Sequence, residues 1–166
     1  MTLRFELAQY PETIQEFELA AQQKYDEALE LMVAGKGSAG IYLMGYVAEM
    51  LLKNAYFRFM GLRPADLIGP RLGPARTQGR VLVPEISSEG YHNLHFWALL
   101  LIRTRCKIGR LLPIELGNRL IHCTRRLCQH WWVGMRYRYD RCDTRHVETV
   151  FSDVNWLRDH YLRLWR

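Results

Sequence analysis

Apolar residues recur along this chain at spacings of three and four far more often than in alternation, so helices dominate and strand signals are thin. After Pro11, suited to a helix's first turn, Phe17, Ala21, Ala28 and Met32 mark one face, which Tyr25 and Leu29 widen. Gly35-Lys36-Gly37 stops that first helix. Ser38 is the expected N-cap of a second helix that runs to Met60, before Gly61 and Pro64. Residues 61 to 91 carry Pro64, Pro70, Pro74 and Pro84 with Gly61, Gly69, Gly73, Gly79 and Gly90. Such a composition predicts a long irregular segment with at most a short strand at Val81, Leu82 and Val83. A third helix is expected from about Asn93 to Lys107, closed by Gly109. A fourth starts near Pro113 and carries Leu116, Leu120, Cys123, Leu127 and Trp131. Asp143 or Thr144 can cap a last helix bearing Val147, Val150, Phe151, Val154, Leu157, Tyr161 and Leu164. The pattern predicts an all-α fold: an up-and-down antiparallel bundle of about five helices in a single domain over residues 1–166, with one long loop between helices two and three.

The second helix, AGIYLMGYVAEMLLKNAYFRFM over residues 39 to 60, is apolar almost all round. A membrane span needs roughly 20 predominantly apolar residues. Only 12 uncharged positions separate Lys36 from Glu49, and Lys53, Asn54 and Arg58 follow. The run from Gly90 to Ile102, 13 residues between Glu89 and Arg103, is also too short. The second helix is therefore expected to be the central element of a bundle. An inward Glu49 then needs a partner, and an arginine of the second half, Arg136 first, is the expected one. The start MTLRFELAQYPE lacks the basic region and apolar core of a secretory signal, which predicts a cytoplasmic protein with reduced cysteines and no membrane partner.

Charge changes the picture. The formal net charge is +6, and 19 of the 23 cations are arginine. Residues 1–60 hold 5 Lys/Arg against 8 Asp/Glu, whereas residues 61–166 hold 18 against 9. An arginine-rich half is either a solvated, internally paired surface or a face for phosphates, since the planar guanidinium forks onto phosphate oxygens and stacks on bases. The acidic run Glu12, Glu16, Glu18, Asp26, Glu27 and Glu30 reads as a solvated face of the first helix, with some pairing to those arginines.

Enzyme classes with strong local signatures are not supported. No phosphate-binding glycine loop and no glycine-flanked serine occur. Cys123, Cys128 and His130 lack zinc-ligand spacing, because positions five apart on a helix point about 140° away from each other. Structural thiols are expected, with no metal and no cofactor. The segment WWVGMRYRYDRCDTRH, residues 131 to 146, gathers aromatics, arginines and a histidine at a helix-to-helix junction. Arginines for backbone oxygens and tyrosines for stacking would make it an RNA or phosphate site. If Asp143 caps the last helix, Arg141 can fold back toward His146 at a positive helix end. An Arg-x4-to-6-His spacing alone is weak: chance placement gives about two matches. Two occur, Arg141 with His146 and Arg125 with His130.

Three strings are more specific together: Gly45-Tyr46-x2-Glu49-x2-Leu52-Lys53, His92-Asn93-Leu94, and Trp131-x4-Arg136-Tyr137. In this order they resemble a HEPN domain of the prokaryotic "GYxxExxLK … HDL … WxxxxRY" type, with Asn93 standing where the family has aspartate. The resemblance covers most of the chain from residue 12 to 165. It implies a four- to five-helix antiparallel bundle, usually a homodimer. Members are often encoded beside a minimal nucleotidyltransferase, and many act as metal-independent ribonucleases in toxin–antitoxin, antiphage or RNA-processing systems. By this resemblance Arg141 and His146 would be catalytic. Arg136, Tyr137, Arg138 and Tyr139 would hold RNA or a nucleotide, and Glu49, Tyr46, His92 and Trp131 would support the site. The other function open to the same surface is non-catalytic: a nucleotide- or RNA-binding or adaptor module for a nucleotidyltransferase partner.

Overall fold

The computed structural model describes residues 12–86, 92–137 and 142–166, without the side chains of Arg136 and Tyr137. All the regular structure in them is helical: α1 (Ile14–Val33), α2 (Gly37–Phe59), α3 (Gly69–Leu82), α4 (Leu94–Lys107), α5 (Ile114–His130), a short 3-10 turn at Val133–Tyr137, and α6 (Thr144–Trp165). Among the described residues the α-helix count is therefore six rather than five.

α2 is the axis. Its side chains are buried on nearly every side from Gly40 to Phe59, as its uniform hydrophobicity requires. Ser38 is not its cap. The helix starts at Gly37 behind Lys36, without a capping side chain. Ser38 lies in the first turn, where its hydroxyl donates to Cys142 Sγ at 3.1 Å. α1 opens on a capping box: the Thr13 hydroxyl accepts from Glu16 N–H, and the Glu16 carboxylate takes Thr13 N–H. The N–H groups of Ile14 and Gln15 donate to the carbonyls of Asp66 and Pro64, which ties α1 to the chain leaving α2.

The packing is not a simple up-and-down order. α1 runs antiparallel to α2, with Ala28 and Met32 at Gly40 and the Ile14 carbonyl at Asn54. α4, however, runs parallel to α2: His92 meets Glu49, Trp97 meets Tyr56, and Arg105 covers Phe59. The segment after α2 carries the chain back before α4 starts, which makes a parallel neighbour possible. α5 returns antiparallel to α4, with Thr124 at His95 and Cys128 at Asn93. α6 then runs beside α2 in the same direction, from Val147 at Gly37 to Tyr161 at Asn54.

α3 corrects the expected irregular segment and strand. Pro70 sits in the first turn, where its missing N–H has no intrahelical acceptor. Pro74, Gly73 and Gly79 disfavour the rest, each glycine by about 1 kcal/mol against alanine. Tertiary contacts outweigh this. Ile68 and Val83, at the two ends, are fully buried. Tyr56 donates to Gln78 and Gln78 to Thr104, while Arg103 donates to the Leu82 carbonyl. Gly79 has a packing reason, because a Cβ there would stand 2.2 Å from Phe96 Cζ.

Candidate functional site

The three strings separated in the sequence come together at one place. Trp131, in extended backbone just after α5, drives its indole against α2, where a Cβ on Gly45 would lie 2.1 Å from the ring. Its Nε1–H donates to the Tyr42 carbonyl at 3.0 Å. Tyr46 packs edge-on against Trp131 (5.5 Å between centroids), Tyr42 and His92. Asn93 caps α4, its side chain accepting from Phe96 N–H at 2.9 Å.

Glu49, 4% exposed, has its partners here. Lys53 Nζ, one turn further along α2 and itself buried, lies 2.5 Å from Oε1. His92 Nδ1 stands 2.9 and 3.1 Å from the two carboxylate oxygens, on a side chain that is 51% exposed. Lys53 also rests 5.4 Å over the Trp97 ring. In the described structure Glu49 is therefore met by a lysine of its own helix and by the His92 ring. The expected Arg136 side chain lies outside the described residues.

A second cluster forms where α5 ends and α6 begins. His130 and His146 face each other with ring centroids 4.9 Å apart, inclined at 51°. The α6 cap is Asp143: its carboxylate accepts from His146 N–H at 2.9 Å and pairs with His146 Nδ1 at 3.1 Å. That amide bond, with the neighbouring histidine and Arg145, holds the Asp143 carboxyl below its ordinary range, so it is ionised at neutral pH. Burial, and then the charges of His146 and Arg126, push the His130 imidazole below its ordinary value, so it is neutral there. Behind the pair, Arg126 forks onto the fully buried Asp153 through Nε and Nη2. Burial and the Asp153 carboxylate raise the Cys123 thiol to about 12, which makes it inert.

The two Arg-x4-His matches thus have different fates. Both histidines reach the same junction, but Arg125 turns away and donates to His95 at 3.4 Å. Arg141, Arg138 and Tyr139 lie outside the described residues, as do the side chains of Arg136 and Tyr137. The meeting of His130 with His146 is a feature that sequence reasoning missed, although both had appeared as competing matches. Each ends or begins a helix at the same turn, and that was the available signal. Cys123 and Cys128 point to different neighbours, Asp153 and Asn93. Among the described residues no helix is long and apolar enough to cross a membrane.

Chemically, the junction offers one neutral imidazole able to accept a proton. A second imidazole beside it is oriented by an ionised carboxylate. No family model matches the chain, and neither a curated protein nor a solved structure matches it.

Proposed function

We propose that this chain is a HEPN-like endoribonuclease that cuts RNA without a metal ion. The observation that carries the reading is the His130–His146 pair beside Asp143 at the start of α6. In the reaction, the RNA's own 2′-oxygen attacks the adjacent phosphorus, the P–O5′ bond breaks, and a 2′,3′-cyclic phosphate and a 5′-hydroxyl result. His130, neutral at pH 7, takes the 2′-hydroxyl proton. His146, aligned by Asp143, gives a proton to the leaving oxygen. Arg141, five residues earlier, meets the charge that develops at phosphorus. Arg136, Tyr137, Arg138 and Tyr139 hold the strand. The protein works as a homodimer in the cytoplasm, alongside a minimal nucleotidyltransferase, in a toxin–antitoxin, antiphage or RNA-processing system.

A second reading is a non-catalytic nucleotide- or RNA-binding or adaptor module. It is favoured by the burial of Glu49, Lys53 and Trp131, which form an internal frame with only His92 half open to solvent. Incubating purified protein with varied single-stranded RNAs in excess chelator separates the two. The nuclease leaves cyclic-phosphate ends; RNA that is bound but intact across all substrates supports the module.

A further inference from the structure

α3 presents a surface that the His130–His146 site does not use. From residue 67 to residue 84 there are three arginines, Arg71, Arg76 and Arg80, and no carboxylate. The nearest acids are engaged elsewhere: Asp66 accepts from Arg63 N–H, and Glu85 is paired with Arg103. Arg71 and Arg80 are exposed. Two grooves, each with an apolar wall and an exposed cation, follow each other along one flank of the helix and share Pro74 and Gln78, while Arg80 lines neither. One, about 540 Å³, runs between α3 and the end of α4, lined by Pro74, Val81, Leu82 and Lys107. The other, about 160 Å³, is lined by Phe57, Met60 and Arg71 among others. Val81 is 75% exposed although nothing polar requires it to be. On the outer face, Gly69 and Gly73 follow each other by one turn, and a Cβ at either would meet nothing within 4 Å. Each precedes a proline, whose ring disfavours a side chain on the helical residue before it, and both leave an open backbone that a ligand can approach closely.

We infer that α3 is a docking ridge for single-stranded RNA, with phosphates on Arg71 and Lys107 and bases against the two apolar grooves. Charge complementarity selects a polyanion, and the apolar walls beside each cation suit unstacked bases. The inference deepens the ribonuclease reading and rests on RNA as its substrate. α2 sets the distance between the two surfaces. Gly37 packs on Val147 beside His146, and Tyr56 donates to Gln78 of α3. From residue 37 to residue 56, a rise of 1.5 Å per residue separates the two ends by about 28 Å. At about 3.4 Å per phosphate in a stacked strand, roughly eight nucleotides cover that span. A trinucleotide can occupy one site only, and a 20-mer reaches both.

The test is the binding and cleavage of a trinucleotide and a 20-mer by the parent and by the double variant Arg71→Glu/Lys107→Glu, with thermal melting as the check on folding. The expected result is a loss of at least tenfold in 20-mer affinity at low salt. The magnitude of the log–log salt slope should also fall by about 1.4, or roughly 0.7 for each of two phosphates. Trinucleotide handling should be unchanged. Arg71→Glu alone should act in the same direction and decides the matter if the double variant does not fold. Parent-like affinity and slope for the 20-mer in these variants would overturn the ridge. So would a preference of the same two cations for phosphatidylserine vesicles over RNA. A parent that binds the 20-mer through α3 yet cuts no RNA leaves the ridge standing and removes the nuclease. A parent that cuts RNA while the variants bind and cut as it does removes the ridge alone.

Discussion

Glu49 and Lys53 are both buried and share one contact, so truncating either leaves the other's charge stranded in the core. Breaking a buried pair from one side costs about 3–5 kcal/mol. For a chain of this size that is roughly 6–20 °C in Tm, at about 2–4 °C per kcal/mol. Glu49→Ala should melt lower by that margin, and Glu49→Leu combined with Lys53→Met should recover much of it. A single variant that melts like the parent would contradict the pairing. The need for a partner was legible from one carboxylate in an apolar run, but Lys53 was not named as a candidate. Lys53 stood four residues on in the same string, where a helix brings side chains together. His130 gives a second residue-scale test. Its folded-state pKa is depressed, so below about pH 6.5 the unfolded chain takes up a proton first. The stability associated with it is fully present above that pH and is lost as pH falls through the folded value. His130→Gln should therefore lose less Tm than the parent between about pH 7.5 and pH 5. An equal loss in a pair of melting series would place the ring in water.

At the scale of the elements, α3 separates intrinsic preference from packing. Gly79→Ala would force a methyl into Phe96 and should destabilise by about 1–3 kcal/mol, as overpacking does. Gly117→Ala in α5, where a Cβ meets nothing within 4 Å and no proline follows, should stabilise by up to about 1 kcal/mol through helix propensity. Denaturant melts of the two variants should move in opposite directions; stabilisation by both would mean that α3 does not pack as described. The other five helices were legible because their apolar spacing and breakers agree. Leu116, Leu120, Cys123 and Leu127 are all buried along α5, and Asp143 caps α6 as its position suggested. α3 was not legible, since its reasons lie in Phe96, Tyr56 and Thr104, far away in the chain. The parallel course of α2 and α4 was hidden for the same reason. The first-turn bonds from Ile14 and Gln15 to the loop after α2 likewise have no local signature.

On the scale of the whole molecule, the basic field and the histidine junction belong to the second half of the chain, while α1 turns a mostly exposed acidic face to solvent. α2 and α6 start side by side, so two positive helix ends lie next to His146 and favour an anion there. The junction was only half visible in the sequence: His146 could be named, but its meeting with His130 depends on how α5 and α6 pack. Single-turnover cleavage of single-stranded RNA in excess chelator, by the parent, His146→Ala and His130→Ala, tests this most directly. General acid–base help is worth about 100- to 10,000-fold. Each histidine variant should lose at least two decades of rate and keep most of its RNA affinity. Cleavage that proceeds at the parent rate in both variants, or that chelator abolishes in the parent, would contradict a metal-independent site at the His130–His146 junction.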